Sequence, residues 1–280
     1  MVAFLHNLFF YISELHFGTI ANLVFLFPFP GLYSIGFSSE LIPTFWSLVI
    51  WAFFLGLVGI TMFLEIFLRL KAIARPGKWF DWKLSTYTFL LSTVCIEVYV
   101  PASAILIYFY ETKERTFSFV EQFYPTCLKV FNHPGVFVFT NTSILSMFVI
   151  GSPIFLLFLI SKYLFFCSAI IYEIRQQNST TSVVTIKYHL KVLKDIVTQN
   201  TFRGVFVIFP SGMFPLNDYF FQPEDDIIKL SSLATVMFAS APIPCSILIF
   251  VQKKSFHSFF QLRRKERVGS INNNINRLSL

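Results

Sequence analysis

The residues that could carry acid, base or metal chemistry are widely spaced in this 280-residue chain. None of its five histidines has an Asp, Glu or Cys partner at the spacing of a metal site or a catalytic triad. Its four cysteines include no CxxC pair, and only Cys127 lies in a polar loop, so no disulfide is predicted. The sequence therefore predicts no enzyme, no metal site and no cofactor.

Glu97 is the one charged residue placed deep inside an apolar run, and Pro101 follows it four residues later. A carboxylate at that depth in a bilayer costs about 2.5–3.5 kcal/mol unless it faces protein or water. Two interpretations stay open: a polar point in a ligand cavity, or a hydrogen bond between helices or a protonated acid. Glu97 and Pro101 are accordingly our candidate ligand-binding residues.

Two other charged pairs lie within or beside apolar runs. Glu14 and His16 are about 200° apart around a helix, since each residue advances about 100°, so they do not form an acid–base pair. We expect them to be solvated at the membrane interface. Glu65 and Arg69 are one helical turn apart and can pair, although a plain surface pair is the simpler interpretation.

The composition indicates an integral membrane protein with one membrane domain. The chain is 55% hydrophobic and only 13% charged, whereas a soluble domain carries about 25% charged residues. Such a chain has too little polar surface to cover a water-soluble globule. Its net charge of +7 does not indicate nucleic-acid binding, because the Lys and Arg residues lie between apolar runs rather than on one folded face.

Six apolar segments are long enough to cross a bilayer, which takes about 20 residues of helix. They form a predicted all-α transmembrane domain over residues 1–260, followed by a disordered cytoplasmic tail at 261–280. The fifth is the weakest, being short and broken by prolines, and Lys162 in the fourth is expected to extend its amine to the headgroups. The predicted spans are 8–29, 45–68, 84–110, 142–166, 203–220 and 227–251.

Lys and Arg collect in alternate loops, which fixes the predicted orientation. The loops 69–83 and 173–203 and the tail from Lys253 hold 5, 5 and 7 of them. The loops 31–44, 111–135 and 218–229 hold 0, 3 and 1. Because Lys and Arg are retained in the cytoplasm, both termini are predicted to be cytoplasmic.

Several stretches resemble nematode serpentine chemoreceptors of class H. The run Leu15-His16-Phe17 and residues 28–36, Pro-Phe-Pro-Gly-Leu-Tyr-Ser-Ile-Gly, resemble the second helix and first outer loop of that family. Residues 124–140, from Tyr-Pro-Thr-Cys to Val-Phe-Thr, resemble its second outer loop. The stretch led by His189 and Lys191 resembles its third inner loop, and residues 242–260 resemble its last helix. The resemblance includes no first helix before Met1.

The resemblance implies a seven-helix bundle of the G-protein-coupled receptor type, with six spans evident in this chain. It implies detection of a small-molecule ligand and signalling to a heterotrimeric G protein, in the plasma membrane or cilium of a sensory neuron. No Asp-Arg-Tyr triplet precedes the second inner loop, so the ionic latch of better-known receptors is not carried over. The candidate residues facing the G protein are Arg69, Lys71, Lys187, Lys191, Lys194 and Arg203.

Other functions stay open beside the receptor. The same basic residues can attract anionic lipid, at about 1 kcal/mol per charge near the surface. A transporter or channel is the alternative class, and it predicts internal repeats or several charges within spans. A truncated relative that does not signal is the other alternative.

Overall fold

The computed structural model describes residues 2–26, 31–110, 113–131, 135–177, 182–205, 236–237, 240–241 and 243–252. These residues are mostly helical, as predicted. The helices are α1 (Val2–Leu15, continued by a π-helical turn, His16–Ile20), α2 (Thr44–Ile73), α3 (Leu84–Phe109), α4 (Lys113–Phe123), α5 (Leu128–Phe131), α6 (Thr142–Gln176), α7 (Val183–Arg203) and α8 (Ile243–Gln252).

Three of these helices are long and apolar enough to cross a membrane. Among the residues that the structure describes, they are α2, α3 and the part of α6 from Ile154 to Gln176. The first two overlap the second and third predicted spans over almost their whole length, and the third overlaps the fourth predicted span, 142–166, only in part. α2 ends at Ile73, shortly before Pro76, because a proline disfavours the helical conformation in the residue that precedes it. Gly77 then turns the chain, with a φ of 70°.

The first predicted span, 8–29, is not one helix. The helix starts earlier, at Val2, and ends at Ile20. Asn22 then takes a left-handed conformation, with a φ of 46°, which Asn tolerates better than most residues. The following residues, Leu23–Phe25, form a strand, because a short apolar run is compatible with strand as well as helix.

The predicted basic linker 173–203 is also largely helical. α6 continues to Gln176, beyond the predicted end at 166, and α7 starts at Val183. Ser182 caps α7, because its hydroxyl accepts a hydrogen bond from the backbone N–H of Thr185 at 3.2 Å. The predicted span 203–220 beyond residue 205, most of 227–242 and the tail 261–280 lie outside the described residues.

A three-stranded antiparallel sheet joins two loops that the charge pattern places on the outer side. Its strands are β1 (Leu23–Phe25), β2 (Gly31–Ser34) and β3 (Val136–Val138), in the order β1-β2-β3. We call this end of the bundle, where α2 begins, the sheet end. The opposite end, which carries Arg69, Lys71 and α7, is the basic end.

The described residues form three apolar clusters, two large ones, one toward each end, and a small one of Val120, Phe131 and Val138 beside the sheet. Toward the sheet end, buried residues of α1, β1, β2, α3 and α8 pack together, among them Phe10, Phe17, Leu23, Leu32, Phe109 and Cys245. Toward the basic end, α2, α6 and α7 supply the larger cluster, which includes Phe63, Ile66, Phe67, Phe166, Ile170 and Leu193. α3 contributes little to either and exposes apolar side chains, which suits contact with lipid.

Candidate functional site

The buried face of α1 is largely polar. His6, Ser13, Glu14 and His16 are each at most 5% exposed. We call this set, with Asn7 and Tyr11, the polar seam. The expectation that Glu14 and His16 are solvated at an interface was wrong for this structure, because α1 packs them against the interior of the bundle.

Two hydrogen bonds of the polar seam fix α1 to α2. His16 Nε2 donates to the carbonyl oxygen of Ser47 at 2.9 Å. Nearer the basic end, His6 Nδ1 and the Thr61 hydroxyl are 3.0 Å apart. The Thr61 hydroxyl also lies 2.7 Å from the carbonyl oxygen of Leu57, to which it donates, so His6 supplies the hydrogen of their bond. The two contacts are about three turns apart on α1 and about four turns apart on α2, and together they set the register of the two helices.

The polar seam also reaches α8. The hydroxyls of Tyr11 and Ser246 are 2.6 Å apart. Glu14, three residues further along α1, lies close enough to Cys245 to interact with it electrostatically. Within the described residues, both carboxylate oxygens of Glu14 are buried and have no hydrogen-bond partner, and the same holds for the hydroxyls of Ser13 and Ser47. The middle of the seam is therefore a buried carboxyl group to which this part of the chain supplies no hydrogen bond.

At the basic end the polar seam meets Arg203, the last residue of α7. Arg203 donates to the side-chain oxygens of Asn7 and of Asn200, the second at 3.2 Å, and its guanidinium carbon lies 5.2 Å from the ring centroid of Phe10. Asn200 in turn donates to the Tyr163 hydroxyl at 2.9 Å. These contacts connect α1, α6 and α7, and we call them the Arg203 seat.

The Arg203 seat changes one sequence-based assignment. Arg203 was expected to face a G protein, but it is only 5% exposed and is bonded inside the bundle. Residues far apart in sequence enclose it, which the local sequence pattern does not indicate. In this conformation Arg203 belongs to the interior rather than to the basic surface.

Glu97 pairs with Lys162 across α3 and α6. The Lys162 amine lies 2.7 Å from each carboxylate oxygen, and the two side chains are 28% and 29% exposed. The expectation that Lys162 extends to the headgroups was therefore wrong, and the interhelical interpretation of Glu97 fits this geometry. Pro101 is exposed on α3, so the structure does not bring it together with Glu97 in a cavity.

The remaining basic candidates lie at the basic end with different exposures. Lys71, Lys187 and Lys194 are exposed, whereas Arg69 and Lys191 are half-buried. Glu65 and Arg69 are not among the two ion pairs of the described residues. The second of those pairs joins Arg75 Nε to Glu173 Oε2 at 2.8 Å, and this hydrogen bond raises the pKa of Arg75. It fastens the turn after α2 to the end of α6.

His189 is a titratable residue of the basic end, and we expect it to make stability depend on pH. Partial burial and then the charge of Arg69 lower the pKa of His189, which lies on α7 outside the predicted spans, below its usual 6.5. The unfolded chain therefore binds more protons just below pH 6.5, and stability should fall as the pH drops through that value. We expect the midpoint of thermal unfolding to fall by about 1 °C less between pH 7 and 5.5 in His189→Gln than in the unchanged protein.

Thermal unfolding of the two proteins at several pH values tests this, because other titrating groups contribute equally to both. Arg69→Gln is the control, because it removes the charge that is the second cause of the lowered pKa of His189. It should reduce the pH dependence that His189 contributes to stability without abolishing it. An equal pH dependence in the unchanged protein and His189→Gln would contradict the assignment.

A cleft of about 350 Å³ opens at the sheet end, between the start of α2 and β3. Glu40, Thr44 and Phe45 line one side, and Gly135 and Phe137 line the other. The Thr44 hydroxyl donates to the carbonyl oxygen of Gly135, which ties the two sides together. Gly135 has a φ of 96°, a conformation that glycine adopts without strain.

Comparison with known protein families supplies the deciding observation. A family model described as serpentine type 7TM GPCR chemoreceptor Srh matches residues 1–263. The chain belongs to this family. Comparisons with curated proteins and with solved structures gave no match. The resemblance to class H serpentine receptors, and the helical GPCR-like fold that it implies, are thereby confirmed.

Membership of the Srh family restricts what the chain does. Srh proteins are a chemoreceptor family of the GPCR type, not a class of enzymes. Together with the three long apolar helices, it indicates a membrane protein that crosses the bilayer several times. Among the described residues no group of three or more metal-binding side chains occurs.

The polar seam is the part of this Srh protein that reasoning from sequence missed. A signal was present, because His6, Asn7, Phe10, Tyr11, Ser13 and Glu14 recur at the three- and four-residue spacing of one helix face. An apolar helix with a polar stripe usually turns the stripe inward when lipid surrounds it. Applying that rule to α1 would have placed these residues in the bundle.

Proposed function

We propose that this Srh chain is a chemosensory receptor that binds a small ligand toward the sheet end and signals to a heterotrimeric G protein at the basic end. The observation that supports it best is the polar seam, which connects the two ends through α1. Its hydrogen bonds reach α2, α7 and α8, so a displacement of α1 near the sheet end would also displace Asn7 at the Arg203 seat. The proposed setting is the plasma membrane or cilium of a sensory neuron, with the basic end and both chain ends in the cytoplasm.

The mechanism follows from how buried polar groups behave. A hydrogen bond broken in the interior leaves a donor or acceptor unpaired, so packing moves between discrete arrangements rather than continuously. A ligand shifts the population only if it binds one arrangement more tightly than the other. Release of Arg203 from its seat would free α7, and with it the exposed Lys187 and Lys194, to present a different surface.

A direct test is energy transfer between G-protein subunits in cells that express the receptor, measured while a panel of small volatile and water-soluble compounds is applied. We expect at least one compound to change the transfer in receptor-expressing cells and in no others. Compounds that bind without changing it with any G protein would indicate a relative that does not signal. Substrate-dependent flux into liposomes containing the purified chain would favour a transporter.

The exposed lysines of α7 should matter for coupling. We expect the variant Lys187→Gln/Lys194→Gln to need about tenfold more G protein for half-maximal coupling, because two surface charges contribute about 0.5–1 kcal/mol each to a charged interface. The measurement is a titration of purified G protein against receptor in nanodiscs of neutral lipid, which removes the attraction to anionic lipid as a cause.

Two exposed basic residues near the sheet end give the matched control. Arg115→Gln/Lys129→Gln removes the same charge from loops predicted to lie outside the cell and should leave coupling unchanged. If both double variants weaken coupling equally, net charge rather than position is responsible. If only the control weakens it, the proposed orientation is wrong.

A further inference from the structure

The cleft at the sheet end has the size of a site for a small molecule. Its volume of about 350 Å³ lies at the lower end of the range of about 300–1,000 Å³ that is usual for such sites. One side consists of the loop before α2 and the first residues of that helix, and the other consists of residues 135–137. The hydrogen bond from Thr44 to Gly135, 91 positions later, holds the two sides together. The cleft is therefore a product of the fold rather than of one local turn.

The cleft carries a negative charge. Among the described residues that line it, Glu40 is the one with a charged side chain, and the loop 31–44 from which it comes contains no Lys or Arg. Glu40 is exposed, and the two ion pairs of the described residues do not include it. The first turn of α2 opposes it with about half a positive charge, which leaves an excess of about half a negative charge. The cleft therefore attracts a cation rather than an anion.

Aromatic rings form much of the apolar lining. The ring of Phe45 lies 5.3 Å from that of Phe137, which comes from the other side of the cleft, measured between centroids. It also lies 5.2 Å from the ring of Tyr110, which follows α3. Such rings pack against apolar groups, and their faces attract organic cations. A ligand with an ammonium group beside a short chain or ring matches both the charge and the lining of the cleft.

The loop that forms one side of the cleft is also bonded to the end of α1. The Ser34 hydroxyl donates to the carbonyl oxygen of Ala21 at 2.5 Å. The hydroxyl and the backbone N–H of Ser38 donate to the carbonyl oxygen of Ile20, at 2.8 and 3.1 Å. A ligand that displaces this loop would therefore also displace the end of α1, the helix that carries the polar seam.

We propose that the cleft binds a small organic cation, namely a primary or secondary amine with an apolar group. The ammonium group pairs with Glu40, and the apolar group packs against Phe45 and Phe137. The inference rests on the proposed function and names the class of ligand for the receptor. The bonds from Ser34 and Ser38 to the end of α1 give the bound amine its connection to the rest of the bundle.

Fluorine NMR of the ligand tests the site, with the full chain in nanodiscs of neutral lipid and empty nanodiscs as the blank. The probes are fluorinated alkyl and aryl amines, each paired with the alcohol of the same shape. We expect at least one amine to bind more tightly than its alcohol. Glu40→Gln should raise the dissociation constant of that amine about fivefold, near the most that an exposed ion pair contributes, and leave that of the alcohol unchanged.

Glu121→Gln is the matched control. It removes an exposed carboxylate from α4, in the loop 111–135 that is predicted to lie on the same side of the membrane, and Glu121 does not line the cleft. It should leave both dissociation constants unchanged. If Glu40→Gln weakens the amine and the alcohol equally, or if Glu121→Gln weakens the amine as much as Glu40→Gln does, the proposal is overturned. A panel in which no amine binds more tightly than its alcohol also overturns it.

These measurements contain no G protein, so the two proposals fail separately. A chain that binds the amine through Glu40 and never signals contradicts only the proposed function. A chain that signals in response to other compounds, while Glu40→Gln leaves the binding of every amine unchanged, contradicts only the assignment of the cleft.

Discussion

Replacing Glu97 with leucine is expected to lower the free energy of unfolding by about 2.5–3.5 kcal/mol, which is the cost of an unpaired charge at the centre of a membrane helix. The stability is lost because Lys162 keeps its charge but no longer has a carboxylate to bind. Lys162 binds both carboxylate oxygens at 2.7 Å, and without them its ammonium keeps the ring of Phe158, 4.9 Å away, as its remaining contact in the described part of the chain. The measurement is unfolding of the detergent-solubilised protein by denaturant.

Lys162→Leu should cost a similar amount, because it leaves the carboxylate unpaired. The double variant Glu97→Leu/Lys162→Leu should be close to the unchanged protein, since two leucines at an interface between apolar helices need no desolvation. The difference between the double variant and the summed single variants measures the pair. Glu121→Leu, on an exposed position of α4, is the control and should change stability by less than about 0.5 kcal/mol. Additive losses in the double variant would show that the two residues do not interact.

The same double variant decides between the two interpretations of Glu97. If Glu97 serves only the contact between α3 and α6, the double variant keeps the response to any ligand of the unchanged receptor. If Glu97 also contacts the ligand, the response is lost although the protein remains stable. Stability and ligand response together therefore separate a structural carboxylate from a binding one.

The long helices could be predicted because the residues that end them lie next to them in the sequence. Apolar runs bounded by Pro43 and by the basic residues after Leu68 predicted a span at 45–68, and α2 covers 44–73. The third predicted span, 84–110, differs from α3 by one residue. In both cases the hydrophobic run is longer than any strand, so length alone excludes the alternative.

The sheet and the candidate site depend on contacts between distant residues. Leu23–Phe25 is apolar enough for the end of a helix, and its strand conformation is explained by pairing with β2, which itself pairs with β3 more than 100 positions later. Arg203 is buried because Asn7, 196 positions away, accepts its hydrogen bond. The local sequence shows that such a residue is charged and where on a helix it lies, but it does not show which distant residue it contacts.

Asn7 is the position where stability and signalling should respond together. Asn7→Leu removes an acceptor from the buried guanidinium of Arg203, which keeps Asn200 and the ring of Phe10 as its remaining contacts in the seat. A hydrogen bond to a charged group contributes about 1.5–3 kcal/mol, so we expect the unfolding free energy to fall by that amount. If the seat holds α7 in the resting arrangement, the same loss should raise basal signalling about tenfold, since about 1.4 kcal/mol changes a population ratio tenfold.

Asn7→Asp is the matched variant with the opposite expectation. It keeps the shape and the acceptor oxygen and adds a negative charge, which strengthens the bond to Arg203. It loses only the bond from the Asn7 amide to the carbonyl oxygen of Ala3, which is exposed. We therefore expect basal signalling to fall below that of the unchanged receptor in Asn7→Asp and to rise above it in Asn7→Leu. Because the two variants differ mainly in what they offer to Arg203, a shift of both in the same direction would mean that the Arg203 seat does not control α7.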